Sequence, residues 1–172
     1  MFVLVRHAHA GSKRRWQGPD DERPLSGRGE RQAAKVARLL HGLGVTRLLS
    51  SPTVRCRQSL AAASDLLWLP IEPVQALSVG ASPDDLLQLL ASGGVDGAAL
   101  CTHRETLRTL SKAWAASAWA GSGVAPPDLS RTPKGAAWII KDYPGPGARG
   151  LQVGRDAGAS APWPLSGLTT DC

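Results

Sequence analysis

The sequence predicts an α/β fold, a three-layer α/β/α sandwich around a mainly parallel central sheet. Two observations carry this. Short apolar, β-prone runs alternate with segments whose apolar residues recur at helical spacing, in the order βαβαβαβαβ. The apolar runs also lack polar alternation, as strands covered on both faces do.

Phe2 to Val5 is the first strand, and it stops abruptly at Arg6-His7. Residues 11–25, GSKRRWQGPDDERPL, are polar, basic and punctuated by Gly and Pro, the pattern of a long loop. Ser26 caps a helix whose apolar positions Ala33, Val36, Ala37, Leu40 and Leu43 share one face, and Gly44 closes it. Arg47 to Ser50 is a second strand. Ser51-Pro52 opens a second helix, with the proline where its missing N–H costs little, running through Arg55, Gln58 and Ala62 towards Leu66.

Pro70 to Ala76 reads as a third strand, and its two prolines place it at an edge. Ser82-Pro83-Asp84-Asp85 starts a helix, since a capping hydroxyl, a proline and two acids all suit the positive end of the helix dipole; Leu86 to Leu90 continue it. Ala98 to Cys101 is another buried strand, ending at Thr102-His103. Leu107, Leu110, Trp114 and Ala118 mark a helix, and Ala136 to Ile140 the last strand. From Asp142 onward, four Pro and six Gly fall within 31 residues without periodicity. The expected organisation is one domain over residues 1–141 and a Pro/Gly-rich, flexible tail over 142–172.

Composition narrows the function classes. A chain of 172 residues that is 42% hydrophobic can bury an aliphatic core, which excludes wholesale disorder. No apolar run approaches the roughly 20 residues that span a bilayer, and the first ends after four, so neither a membrane protein nor a secretory signal is expected. The three cysteines, Cys56, Cys101 and Cys172, are odd in number and widely spaced, without a zinc-type cluster. A cytoplasmic setting, no metal and no cofactor are the expectations. The net charge of +6 invites a nucleic-acid reading, but its distribution argues otherwise. Residues 1–60 hold 12 Lys+Arg against 4 Asp+Glu, and the remainder 8 against 10. A local phosphate site in the first third explains that surplus, so no nucleic-acid partner is expected.

In doubly wound sheets a ligand sits beyond the carboxyl ends of the strands. The first strand delivers Arg6 and His7 there, the turn after the second leads to Arg55, and the strand through Cys101 delivers His103. Two arginines and two histidines on one spot suit a phosphoryl group, because guanidinium forks bind its oxygens bidentately. An imidazole can attack phosphorus and become a covalent intermediate.

The segments LVRHAHAG (4–11), PLSGRGERQA (24–33), SSPTVRCRQS (50–59) and CTH (101–103) resemble the signatures of the histidine phosphatase superfamily, which has the phosphoglycerate mutase-like fold. The RHA triplet and the short chain are closest to its phosphohistidine phosphatase-like branch. The run RHAHAGSKRRWQGPDDERPLSGRGERQA is also similar to the phosphatase domain joined to Nudix hydrolase domains in certain actinobacterial proteins. The resemblance implies a metal-independent phosphatase in which His7 becomes phosphohistidine. Arg6 and Arg55 would bind phosphate oxygens, and His103 would complete the pocket as a donor to the transferring group. The substrate it implies is a small-molecule phosphate, a nucleotide or a phosphoprotein.

One departure stands out. Many members carry a Glu or Asp proton donor after the third strand, where this chain reads QALSVGASPDD and places Val79. A general acid is worth roughly 10²- to 10⁴-fold in rate, so its loss favours substrates with good leaving groups, such as phosphohistidine or nucleotide polyphosphates. Asp20, Asp21, Glu22, Asp84 and Asp85 are candidate substitutes. The rival reading is a non-catalytic phosphate- or nucleotide-binding domain using the same pocket.

Around this set, Lys13, Arg14 and Arg15 read equally as a solvated loop or as a rim that binds the rest of an anionic substrate. Trp16 reads first as an aromatic closing its loop, and Lys134-Gly135 as a candidate to reach the site from above. Cys56 and Cys101 are expected to be inert packing thiols. His9 and His41 are given no catalytic role.

Overall fold

The computed structural model describes residues 1–116, 127–141 and 149–153. Trp119, Ala118 and most of the expected tail lie outside the described residues. One sheet runs in the order β3-β2-β4-β1-β5-β6, built from β1 (Phe2–Arg6), β2 (Arg47–Ser50), β3 (Ile71–Pro73), β4 (Ala98–Thr102), β5 (Ala137–Lys141) and β6 (Arg149–Val153). Its helices are α1 (Gly27–Gly42), α2 (Val54–Leu67), α3 (Pro83–Ala91) and α4 (Arg104–Ala116).

Side-chain alternation along β1 builds the three layers. Phe2 and Leu4 join Leu86 and Leu90 of α3 and Leu107, Leu110 and Trp114 of α4 on one face. Val3 and Val5 join Val36, Ala37 and Leu40 of α1 and Cys56, Leu60 and Ala63 of α2 on the other. Both faces are apolar because both are covered, so the strand sequence shows no polar alternation.

The helix starts follow the local chemistry. Ser26 accepts a hydrogen bond from the Gly29 N–H, and Ser82 accepts one from Asp84 with Pro83 at the first helical position. The expected start of α2 at Ser51-Pro52 is corrected to Val54, with Thr53 as the cap residue. Ser51 is drawn instead to a distant histidine side chain, a stronger claim on its hydroxyl than a local cap. β3 is short and lies at the sheet edge, as its prolines require.

β1, β2, β3 and β4 pair in parallel, but β5 runs antiparallel to β1. The sequence reading ends the sheet at Ile140; the structure adds β6, antiparallel to β5 at the far edge. The Gly- and Pro-rich composition around β6 concealed it, since an edge strand needs only backbone pairing.

Candidate active site

Sheet register assembles the site. Arg6 at the end of β1 lies opposite Thr102 of β4, and Ser50 at the end of β2 lies opposite Cys101. The His7 N–H donates to Thr102 O at 2.9 Å and the Ser51 N–H to Cys101 O at 2.9 Å, so the ladder runs one residue past each strand. Arg6, His7, Ser51 and His103 therefore emerge together at the carboxyl edge, where β1 and β4 are neighbours although the chain visits β2 and β3 between them.

A cavity of about 310 Å³ is lined there by Arg6, His7, Lys13, Asp20, Asp21, Arg23, Arg55, Val79, His103, Glu105 and Lys134. Of the expected site residues, Arg6, His7, Arg55, His103 and Lys13 line this cavity, and Arg14 does not. Arg14 sits exposed on a 3-10 turn over Lys13–Arg15. Lys134 reaches the cavity through the turn before β5, where the Gly135 N–H bonds to the carbonyls of Arg6 and His7. Gly135 sits at φ +71, and a Cβ there would come within 2.9 Å of Gln32.

The His7 imidazole is buried, its ring 5.3 Å from that of His103. Its Nδ1 lies 2.8 Å from Ala8 O. A carbonyl only accepts, so Nδ1 carries the hydrogen and Nε2 keeps its lone pair. Burial, reinforced by the charges of Arg55 and Arg6, lowers the pKa from 6.5 to about 3, so the ring is neutral. The Ala8 N–H is held by Ser59 Oγ at 2.9 Å, which fixes the loop below the ring.

Arg55 is buried and Arg6 half-buried, and both are only partly satisfied. Arg6 donates through Nη1 to Thr132 O at 2.7 Å, and Arg55 contacts Asp20 through its carbonyl and, at 3.3 Å, its carboxylate. The Nε–H of Arg6 and of Arg55 are both buried without a partner. An unsatisfied buried donor costs about 1–3 kcal/mol, and a multidentate anion would relieve both.

His103 is 1% exposed. Its Nδ1 is 3.3 Å from Arg55 Nη2, and guanidinium can only donate, so Nδ1 accepts and Nε2 donates to Ser51 Oγ at 2.9 Å. In this state His103 orients Arg55, and Arg55 is the group that presents N–H donors. Cys56 is not merely packed: its Sγ lies 3.5 Å from His103 Nε2, behind the ring.

Asp20 joins the cavity on the 3-10 turn Asp20–Glu22 and is bonded to Arg23 at 3.0 Å, Arg55 at 3.3 Å and Lys13 at 3.8 Å. Burial acts to raise its pKa, but the Arg23 hydrogen bond and these positive charges outweigh it, so the carboxylate stays ionised. Of the candidate acids, Asp20 and Asp21 line the cavity; Glu22, Asp84 and Asp85 do not. Glu105, on the first turn of α4, lines it and was missed by the sequence reading. Its spacing two residues after His103 was the available signal.

Two further polar residues of the loop after β1 make local bonds. Trp16 closes its loop by donating from Nε1 to Pro19 O at 2.9 Å. His9 bonds Ser26 Oγ at 2.7 Å and stands outside the cavity wall. Among the described residues no group of three His, Cys, Asp or Glu side chains is placed to hold a metal ion, and no helix is long and apolar enough to cross a membrane.

A neutral histidine, the buried Arg55 and the half-buried Arg6 meet at the carboxyl edge of a three-layer α/β sandwich, a set of groups able to bind an oxyanion. The model of the histidine phosphatase superfamily (branch 1) matches residues 2–78, which contain Arg6, His7 and Arg55. The fold agrees: the structure of the protein histidine phosphatase SixA complexed with tungstate superimposes with a TM-score of 0.64 at 23% identity, covering 87% of this chain and 94% of that one. A mycobacterial glucosyl-3-phosphoglycerate phosphatase complexed with VO3 gives 0.60 at 15% identity, over 88% and 96%. Over residues 2–78 the chain is thus similar to the histidine phosphatase superfamily, and it shares the fold of these solved structures. It is also 30% identical over 145 residues to an 8-oxo-(d)GTP phosphatase of Mycolicibacterium smegmatis, covering 80% of this chain. The chain spans 43% of that relative's length.

Proposed function

We propose that this chain is a hydrolase, a phosphatase acting on phosphomonoester, phosphohistidine or nucleotide phosphate groups through a covalent phosphohistidine on His7. The observation that carries the reading is the pairing of a neutral imidazole, its Nε2 lone pair free, with the guanidinium groups of Arg6 and Arg55, whose buried Nε–H donors lack partners. The guanidinium groups hold the phosphoryl oxygens and stabilise the charge that develops on them, commonly the largest catalytic contribution.

Nε2 attacks phosphorus as the bond to the leaving group breaks, and the Nδ1–H bond to Ala8 O steadies the positive charge that the ring gains. Water then attacks the phosphohistidine, the N–P bond breaks, and phosphate and neutral His7 are restored. No step calls for a metal. His103 accepts from Arg55 Nη2 at Nδ1 and so completes the pocket by holding that guanidinium, the donor to the transferring group, in place. Lys13 binds the rest of an anionic substrate from the rim; Arg14, outside the cavity wall, is left as a solvated residue. The relatives named as phosphatases support the reaction class.

Incubation with labelled phosphohistidine peptide and with a γ-labelled nucleoside triphosphate, followed by an alkaline quench, should trap acid-labile label on the wild type and none on His7→Ala. Tight phosphate binding without turnover of any of these substrates would instead favour a non-catalytic phosphate-binding domain.

A further inference from the structure

The segment after β3 carries Val79, 51% exposed on the cavity wall, so it offers no proton to a leaving group. The structure binds that segment to the start of α4. Thr102 Oγ1 donates to Leu77 O at 2.6 Å, and Thr106 Oγ1 donates to Ser78 O at 3.0 Å. Val79 follows Ser78 and Glu105 precedes Thr106, so the second of these bonds joins their immediate neighbours, and both residues line the cavity.

Three carboxylates line the cavity, and they differ in their partners. Asp20 is held by Arg23, Arg55 and Lys13 and stays ionised. Asp21 lies on the exposed 3-10 turn of the same loop. Glu105 makes no ion pair among the described residues, although its charge acts on Arg6. It stands on a helix whose first turn is anchored by Leu107 N–H to His103 O at 3.0 Å.

We propose that Glu105 is the general acid of this site, supplying from α4 the proton that the segment after β3 lacks; this rests on the phosphatase reading above. As His7 Nε2 bonds to phosphorus and the P–O bond to the leaving group breaks, the Glu105 carboxyl proton passes to the departing oxygen. Its carboxylate then takes a proton from the water that attacks the phosphohistidine, so the group ends as it began. The chain thereby gains access to substrates with alkoxide leaving groups, which the valine alone would disfavour.

The test compares Glu105→Gln with wild type on an alkyl phosphate and on p-nitrophenyl phosphate, whose leaving group needs little protonation. Acid catalysis predicts a loss of roughly 10²- to 10⁴-fold in kcat/KM on the alkyl phosphate, and a loss of less than about ten-fold on p-nitrophenyl phosphate. Inhibition by vanadate should be unchanged, which separates a lost proton from a lost fold or binding site. Equal losses on both substrates, or a selective loss in Asp21→Asn with Glu105→Gln intact, would overturn the assignment. Absence of turnover of every one of these substrates by wild type, with phosphate still bound, would overturn the phosphatase reading itself, whatever Glu105→Gln does.

Discussion

His7 links the chemistry of the site to the stability of the fold, and replacing it with Gln measures that link. Burial and the neighbouring positive charges lower its pKa from 6.5 to about 3, so the folded protein keeps the ring neutral where the unfolded chain protonates it. Between those values the unfolded state binds more protons, and stability must fall as pH falls. At pH 5 the solution lies about 1.5 pH units below the unfolded imidazole's ordinary value of 6.5, which costs the folded state about 2 kcal/mol relative to pH 7.5. Above pH 6.5 the penalty vanishes, and below about pH 3 it stops growing. Gln has no proton to gain. Urea unfolding of wild type and His7→Gln at pH 7.5, 6 and 5 should therefore show wild type losing about 2 kcal/mol more than the variant over that range. A stability difference that stays constant from pH 7.5 to 5 would refute the neutral, buried nucleophile.

Other consequences follow from the packing. A Cβ at Gly29 would lie 2.1 Å from His9 O, so Gly29→Ala should destabilise the fold by about 1–3 kcal/mol and lower phosphatase activity by shifting the loop after β1, measured by thermal unfolding and kcat/KM. Removing the Ser51 hydroxyl leaves His103 Nε2–H facing only Thr53 Oγ1 and Cys56 Sγ, both at 3.5 Å; Ser51→Ala should reduce kcat/KM by roughly ten-fold or more, the worth of about 1–3 kcal/mol, with global stability less affected. Leu100 is fully buried at the centre of β4, and Leu100→Ala should cost about 2–5 kcal/mol in urea unfolding.

The strands and helices of the first hundred residues were legible because their signals are local. The Ser26 and Ser82 caps, Pro83 at a helix start and the two prolines of an edge strand each act within a few residues of themselves. Arg6, His7, Arg55 and His103 were legible as a set because each follows a strand end or opens a helix. Ser51 was misread for the opposite reason: its hydroxyl serves His103, 52 residues away, rather than the helix beside it. Asp20 could be proposed only as a spare acid, because its engagement with Arg55 depends on how the loop after β1 folds back over α2. Glu105 was not legible because the bond that ties its neighbour Thr106 to the segment after β3 spans 28 residues.

The sequence by itself determined the α/β class and the positions of most elements, and it marked Arg6, His7, Arg55 and His103 as residues of strand ends and a helix start, since periodicity, caps and strand-end chemistry are written within short windows. Tertiary structure decided the strand order with β4 between β2 and β1, the antiparallel turn of β5 and the addition of β6. It also decided which nitrogen of each histidine is free and which of the nearby acids meets the cavity. Those outcomes depend on sheet register and on hydrogen bonds between residues 25 to 126 positions apart, and no local pattern specifies such pairings.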